Sequence, residues 1–307
     1  MHLQSQKNKG IPNSWLTAIV LFIVLILLSV IYRNMLQKNP KNAWQVSQSK
    51  NLAADFSGQT DAETHNFTTG NLSGKTIKLP ILMYHHIGEI PKEAKTDYIR
   101  VGLTVSPENF EAQIAWLKNQ GFNSITLQNL LDYTKQSFNM PKNPVVITFD
   151  DGYEDAILTA PPILKKYGFT GTFGIITQFS GISYGTNKYA TWEQIKNAKN
   201  SGMEIASHTQ DHFDGTNKTY NEAFKLRNIE GSKADIKSKL GVDTKILIYP
   251  FGHYDTTYIK IAQKAGFEIG LTTTEGKVVK LDNLMEIPRI RISNSTTIAG
   301  FKKLLTE

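Results

Sequence analysis

Apolar and polar positions follow three successive patterns along the 307 residues. From Trp15 to Tyr32 the chain is apolar except for Thr17 and Ser29. That run, about 18 residues, is long enough to cross a bilayer. It has no polar face, so a buried helix fits it less well than a membrane span. It exceeds the usual hydrophobic part of a cleaved leader, and no small-x-small site follows closely. It therefore reads as a retained transmembrane signal anchor, with cleavage as the alternative. Residues 33–76 are rich in Asn, Gln, Ser, Thr and Lys without a lasting apolar period. This pattern predicts a flexible polar linker.

From residue 77 to 307 the pattern changes again. Short apolar runs of strand length alternate with longer stretches of helical period. Ile81–His86, Ser124–Leu127, Val145–Phe149, Phe169–Ile176, Met203–His208, Lys245–Tyr249, Phe267–Thr273 and Glu286–Ile292 are the strand candidates. Ser106 before Pro107 predicts a helix start, Thr191 and Asp255 predict two more, and Asn221 to Leu240 reads as a long helix. Tyr153 to Tyr167 reads as a helix interrupted at Pro161-Pro162. Strands alternating with helices predict an α/β fold with a parallel sheet. Seven or eight strands in about 230 residues favour closure into a (β/α) barrel. The domain plan is thus a short N-terminal segment (1–14), an anchor (15–32), a linker (33–76) and one globular domain (77–307).

The formal net charge of +7 does not belong to that domain. Residues 1–50 hold six Lys/Arg and no Asp or Glu, leaving 28 basic against 27 acidic residues. The globular part is nearly neutral, which argues against a nucleic-acid partner. The basic residues flank the apolar run on both sides, so their count does not orient it. The default for N-terminal anchors places the domain outside the cell. Cysteine is absent. That excludes disulfides, thiolate metal sites and a cysteine nucleophile, so any metal is held by His, Asp or Glu.

The residues with chemistry gather at strand ends. Pro144 to Phe149 leads into Asp150-Asp151-Gly152-Tyr153. Two carboxylates there cannot be unpaired core residues. Taken alone they are equally a turn. Successive strand side chains face opposite ways, so Asp150 and Asp151 have different jobs. Met203 to Ser207 ends in His208, with His212 four residues on; one helical turn would face both imidazoles the same way. Two histidines and one carboxylate leave a fourth position for water, the arrangement of catalytic zinc.

Thr148-Phe149-Asp150-Asp151-Gly152-Tyr153, Ser207-His208 with His212, and Tyr249-Pro250-Phe251-Gly252 together resemble the polysaccharide deacetylases with a NodB homology domain, carbohydrate esterase family 4. The likeness covers about residues 80–305. It implies a distorted (β/α) barrel of about seven strands. It also implies metal-dependent hydrolysis of N-acetyl groups on N-acetylglucosamine units of a cell-surface or cell-wall polysaccharide, releasing acetate. By resemblance Asp150 is the catalytic base, and Asp151, His208 and His212 hold a divalent metal, zinc being the expected ion. By resemblance the Tyr153 N–H is the oxyanion donor; from the residues themselves, Tyr249 and Phe251 are singled out among the aromatics near strand ends as rings on which a sugar could stack. Where many members carry an arginine this chain has Ile248, so Arg289, or else Arg291, is expected to hold Asp150. The late Leu-x-His of many members is also missing. Met83-Tyr84-His85-His86 instead resembles the poly-N-acetylglucosamine deacetylase subgroup, which makes His85 the general acid and His86 its neighbour facing away. No protein partner is implied. The alternatives are an O-acetyl esterase and an inactive glycan-binding barrel.

Overall fold

Strands buried on both faces need a closed or covered sheet, and here they close. The computed structural model describes residues 72–307. Its barrel strands are β1 (Ile81–Tyr84), β2 (Pro144–Phe149), β3 (Thr172–Ile175), β4 (Glu204–Ser207), β5 (Ile246–Ile248), β6 (Ile269–Glu275) and β7 (Ile287–Arg291). All pair in parallel and in chain order, and β7 returns to β1 through Ile290 opposite Leu82 and Arg291 opposite Met83. A register shift between β6 and β7 distorts the closure. This is the expected seven-stranded (β/α) barrel.

The helices are α1 (Tyr98–Gly102), α2 (Pro107–Asn119), α3 (Leu127–Thr134), α4 (Glu154–Lys166), α5 (Trp192–Asn200), α6 (Glu222–Leu240), α7 (Thr256–Lys264) and α8 (Ile298–Thr306). The Ser106, Thr191 and Asp255 side chains each accept a hydrogen bond from a first-turn N–H, as their positions predict. The helix expected to break at Pro161-Pro162 does not: α4 runs through both prolines. Two prolines leave the Ile157 and Leu158 carbonyls without their helical donors. Leu158 is exposed, which keeps that side of the helix in contact with water.

Alternation along each strand decides what enters the barrel. On β2, Val145, Ile147 and Phe149 pack outward among helices, while Val146 packs inward with Ala206, Ile248, Leu271 and Ile287. Thr148 and Asp150 follow Val146 on the inner face. On β1, Ile81 is inward and Tyr84 outward, so His85 points in and His86 out.

The two ends of the barrel differ. At the N-terminal end the Glu204 carboxylate accepts from the N–H groups of Leu127 (2.9 Å) and Gln128 (2.8 Å) and from the Thr172 hydroxyl (2.6 Å), capping α3. At the C-terminal end His85, Asp150, His208 and Tyr249 each follow the last residue of a strand. That end is where barrel enzymes build sites.

Thr76–Lys78 pairs antiparallel with Val278–Lys280, and Ser183–Tyr184 pairs antiparallel with Asn187–Lys188. Neither pair shows a hydrophobic alternation long enough to be read from sequence. Among the described residues no helix is long and apolar enough to cross a membrane. The anchor expected at Trp15–Tyr32 and most of the linker lie outside the described residues.

Candidate active site

Asp150 continues the β2 backbone: its N–H donates to the Tyr84 carbonyl at 2.9 Å. Its side chain is buried inside the barrel and meets Arg289 of β7. The guanidinium donates through Nη1 and Nη2 to both carboxylate oxygens, each at 2.7 Å. Its remaining donors reach the Thr148 hydroxyl (3.0 Å) and the Thr272 carbonyl (2.8 Å). Arg289 is fully buried, so its fork is held on every side. Burial alone would raise the Asp150 carboxyl; Arg289 outweighs it and keeps Asp150 below its ordinary value, hence ionised. Of the two expected arginines, Arg289 is the partner of Asp150, while Arg291 is exposed.

At Asp151 the strand ends. Asp151 and Gly152 both have left-handed backbones, with φ of 73° and 75°. For a residue with a Cβ that conformation costs about 1 kcal/mol. It breaks the strand alternation and brings Asp151 to the histidines. Asp151 Oδ1 lies 3.1 Å from His208 Nε2 and 3.4 Å from His212 Nε2. The three donor atoms fall within 4.8 Å of one another. The expected helical turn around the histidines does not form. His208 to Tyr220 is a loop, and left-handed Thr209 (φ 67°) and His212 (φ 61°) aim the imidazoles together. The Thr209 hydroxyl, accepting from the His212 N–H at 3.0 Å, closes that loop.

These three residues fit a divalent cation. His208 Nδ1 donates to the Ile248 carbonyl at 2.8 Å, which in the neutral imidazole leaves Nε2 as a lone pair facing a carboxylate oxygen. Two acceptors at that distance repel unless a cation lies between them. Two imidazole nitrogens and one carboxylate suit zinc. Without a metal a proton serves in part. Burial opposes charge on both histidines, but Asp151 outweighs it at His208, whose pKa is raised. His212, with the His208 charge beside it, is pushed down to about 4. Burial likewise opposes charge on Asp151, yet the histidines hold it well below the usual carboxylate range.

Close packing also shapes the site. A Cβ on Gly174 of β3 would lie 2.6 Å from Ile248 Cδ1 and 3.6 Å from His208 Cβ. His85 is buried, and its Nδ1 has no partner among the described residues. Burial lowers its pKa, against the pull of Asp150 and Asp151.

Two residues outside the sequence motifs, Asp155 and Arg100, adjoin the site through His86. His86 faces away from the barrel interior, as expected, but its ring stacks on Tyr153 at 3.5 Å. His86 Nδ1 lies 3.0 and 3.1 Å from the two Asp155 oxygens, and Arg100 Nη2 donates to Asp155 at 2.8 Å. Tyr153 is buried with its phenol toward Asp151 and Tyr189, and burial, then Asp151, raise its pKa. Only the spacing of Asp155 behind Asp151 could have hinted at this group.

Tyr249 corrects an expectation. It is fully buried and its hydroxyl donates to the Met285 carbonyl at 3.0 Å, so the ring belongs to the core and offers no face to a sugar. Phe251 is 54% exposed, with φ of 60°, and its ring centroid lies 4.5 Å from that of His212. It is the aromatic of that motif that reaches the rim.

The polysaccharide deacetylase family model matches residues 138–270, which span Asp150, Asp151, His208, His212 and Phe251. The chain is 32% identical over 227 residues to the Bacillus subtilis (strain 168) protein YxkH, provisionally named a polysaccharide deacetylase; the match covers 74% of this chain and 76% of that protein. It is 32% identical over 199 residues to the poly-beta-1,6-N-acetyl-D-glucosamine N-deacetylase of Staphylococcus aureus (strain MSSA476), covering 62% of this chain and 68% of that enzyme. Among solved structures, the Streptococcus pyogenes deacetylase PplD in complex with acetate superposes with a TM-score of 0.67 at 28% identity, covering 76% of this chain and all of that one.

Proposed function

Since the chain belongs to the polysaccharide deacetylase family and is a hydrolytic deacetylase, we propose that it removes N-acetyl groups from N-acetylglucosamine units of a cell-surface or cell-wall polysaccharide, with Asp151, His208 and His212 holding a divalent metal. Zinc is the ion the donor set suits best. The observation that carries this reading is one carboxylate locked by a buried arginine beside a second carboxylate facing two histidines. The N-acetylglucosamine substrate is supported by the named activity of the S. aureus relative.

A cation held there would polarise the acetyl carbonyl and make a neighbouring water more acidic. Asp150, kept ionised by Arg289, accepts that water's proton as the water attacks the acetyl carbon. The Tyr153 N–H, which has no acceptor among the described residues, donates to the carbonyl oxygen as it gains negative charge. His85 delivers a proton to the leaving nitrogen. Water and amide become acetate and a free amine. Burial keeps His85 largely neutral at rest, so it gains its proton within the reaction cycle. Phe251 offers an exposed ring face beside the site on which a sugar can stack.

The apolar run 15–32 is proposed to anchor the chain, with the barrel outside the cell. Acetate release from N-acetylglucosamine oligomers by the whole chain, metal-loaded and chelated, tests the activity. Loss on chelation and in Asp150→Asn is the expected result. Release from O-acetylated oligomers only would replace the amide with an ester, and no release from either would sink the proposal.

A further inference from the structure

Tyr153 has two tasks in the proposed reaction: its N–H serves the oxyanion and its phenol faces the metal ligand Asp151. Among the described residues no side-chain hydrogen bond caps the helix end at which it stands. What holds it is its ring, which lies between two others. Tyr189 sits on one flank at 5.1 Å and 36°, and a backbone bridge joins the two tyrosines. His86 stacks on it at 3.5 Å and 17°, nearly parallel and in full contact.

His86 is itself oriented. Nδ1 meets both Asp155 oxygens, and Asp155 stands in the first turn of α4, two residues beyond Tyr153. Asp155 also accepts from its neighbour Ala156 N–H at 2.7 Å and from Arg100 at 2.8 Å. Arg100, 5% exposed, is pinned by donating to the Thr104 hydroxyl at 2.6 Å. One cation and one carboxylate balance, so neutral His86 donates Nδ1–H to Asp155. Space beside this carboxylate is tight: a Cβ at residue 88 would lie 3.2 Å from Asp155 Cβ and 3.3 Å from its Oδ2.

His86 is not a second acid. It is 1% exposed, and its Nε2 is buried without a partner among the described residues, out of a substrate's reach. A buried acceptor left unpaired costs about 1–3 kcal/mol. The ring's contact with Tyr153 is what that orientation secures.

We infer that Arg100, Asp155 and His86 form a positioning relay that sets the ring plane of Tyr153, and through it the oxyanion N–H and the phenol facing Asp151. The inference rests on the proposed deacetylase reaction. It makes His86 a positioning residue, beside the expected acid His85 but on the opposite face of the chain.

The test compares His86→Ala, His86→Phe and Arg100→Met with the wild-type chain, each confirmed folded by circular dichroism. Two measurements are made: the kinetics of acetate release from an N-acetylglucosamine oligomer, giving kcat and KM, and the affinity of chelator-stripped protein for cobalt(II). In His86→Ala, kcat should fall about 10²-fold with KM within about twofold, the cost of a misplaced reacting group. Cobalt affinity should fall about tenfold, as for loss of an outer-shell partner. His86→Phe keeps the stack and should restore most of both; Arg100→Met should fall between. Unchanged kcat and cobalt affinity in His86→Ala would overturn the relay, as would a His86→Phe variant no better than His86→Ala. Wild-type protein that releases no acetate defeats the underlying reaction instead, and the cobalt titration then still decides whether residue 86 governs the site.

Discussion

Arg289 and Asp150 lie 139 residues apart, yet meet through two hydrogen bonds of 2.7 Å inside the barrel. Each covers the other's charge, and among the described residues neither has another ionic partner at that distance. Arg289→Met leaves the Asp150 carboxylate buried and unpaired. We expect it to lower unfolding free energy by about 3–5 kcal/mol. The double variant Arg289→Met, Asp150→Asn should recover part of that loss, because the buried charge is gone. Urea denaturation of Arg289→Met, Asp150→Asn and the double variant measures the coupling. Equal losses in the single and double variants would contradict it.

His85 and the metal ligands should separate cleanly. His85→Ala is expected to lower kcat by about 10²–10⁴, the range for a lost general acid. Its metal content, measured by atomic absorption after dialysis, should stay at the wild-type level. His208→Ala should lose both. Metal loss in His85→Ala would mean that His85 also serves the ion.

Gly174→Ala offers a probe that removes no polar group. The added methyl meets Ile248, whose carbonyl orients His208. Overpacking of this kind costs about 1–3 kcal/mol. Weaker zinc affinity by calorimetry, beyond any change in Tm of the chelated protein, is the expected result.

The pH dependence of stability should report Asp155. Burial raises its carboxyl, but the His86 and Arg100 contacts outweigh burial and hold it below its ordinary value. A depressed carboxyl contributes stability that is full above the unfolded value, near about 4. That contribution is lost as pH falls through the lower folded value. The stability gap between wild type and Asp155→Asn should therefore be largest near neutrality and shrink in acid. A gap that widened on acidification would contradict the assignment.

Phe251 should matter for substrate and little for folding. Its ring is half exposed but its backbone is left-handed. Phe251→Gly relieves the backbone while Phe251→Ala does not, so the glycine variant should be the more stable by about 1 kcal/mol. Both should raise KM for long oligomers alike, since both lack the ring.

Much of the architecture was legible because it depends on neighbours in sequence. The strand and helix alternation, the Ser106, Thr191 and Asp255 caps and the inward placement of His85 follow from local periodicity and local hydrogen bonds. Two motif details were not. Tyr249 lies in the core while Phe251 two residues later reaches the rim, a choice made by packing against Met285. The histidine pair is brought together by a left-handed loop rather than a helical turn.

The sequence by itself determined an α/β chain of alternating strands and helices with acids and histidines at its strand ends, because side-chain alternation and strand length are short-range properties. Only the tertiary structure decided that Arg289 rather than Arg291 holds Asp150, and that His86, Asp155 and Arg100 converge behind Tyr153. Both outcomes depend on closure of β7 against β1 and on how distant elements pack. No residue's neighbours along the chain carry that information.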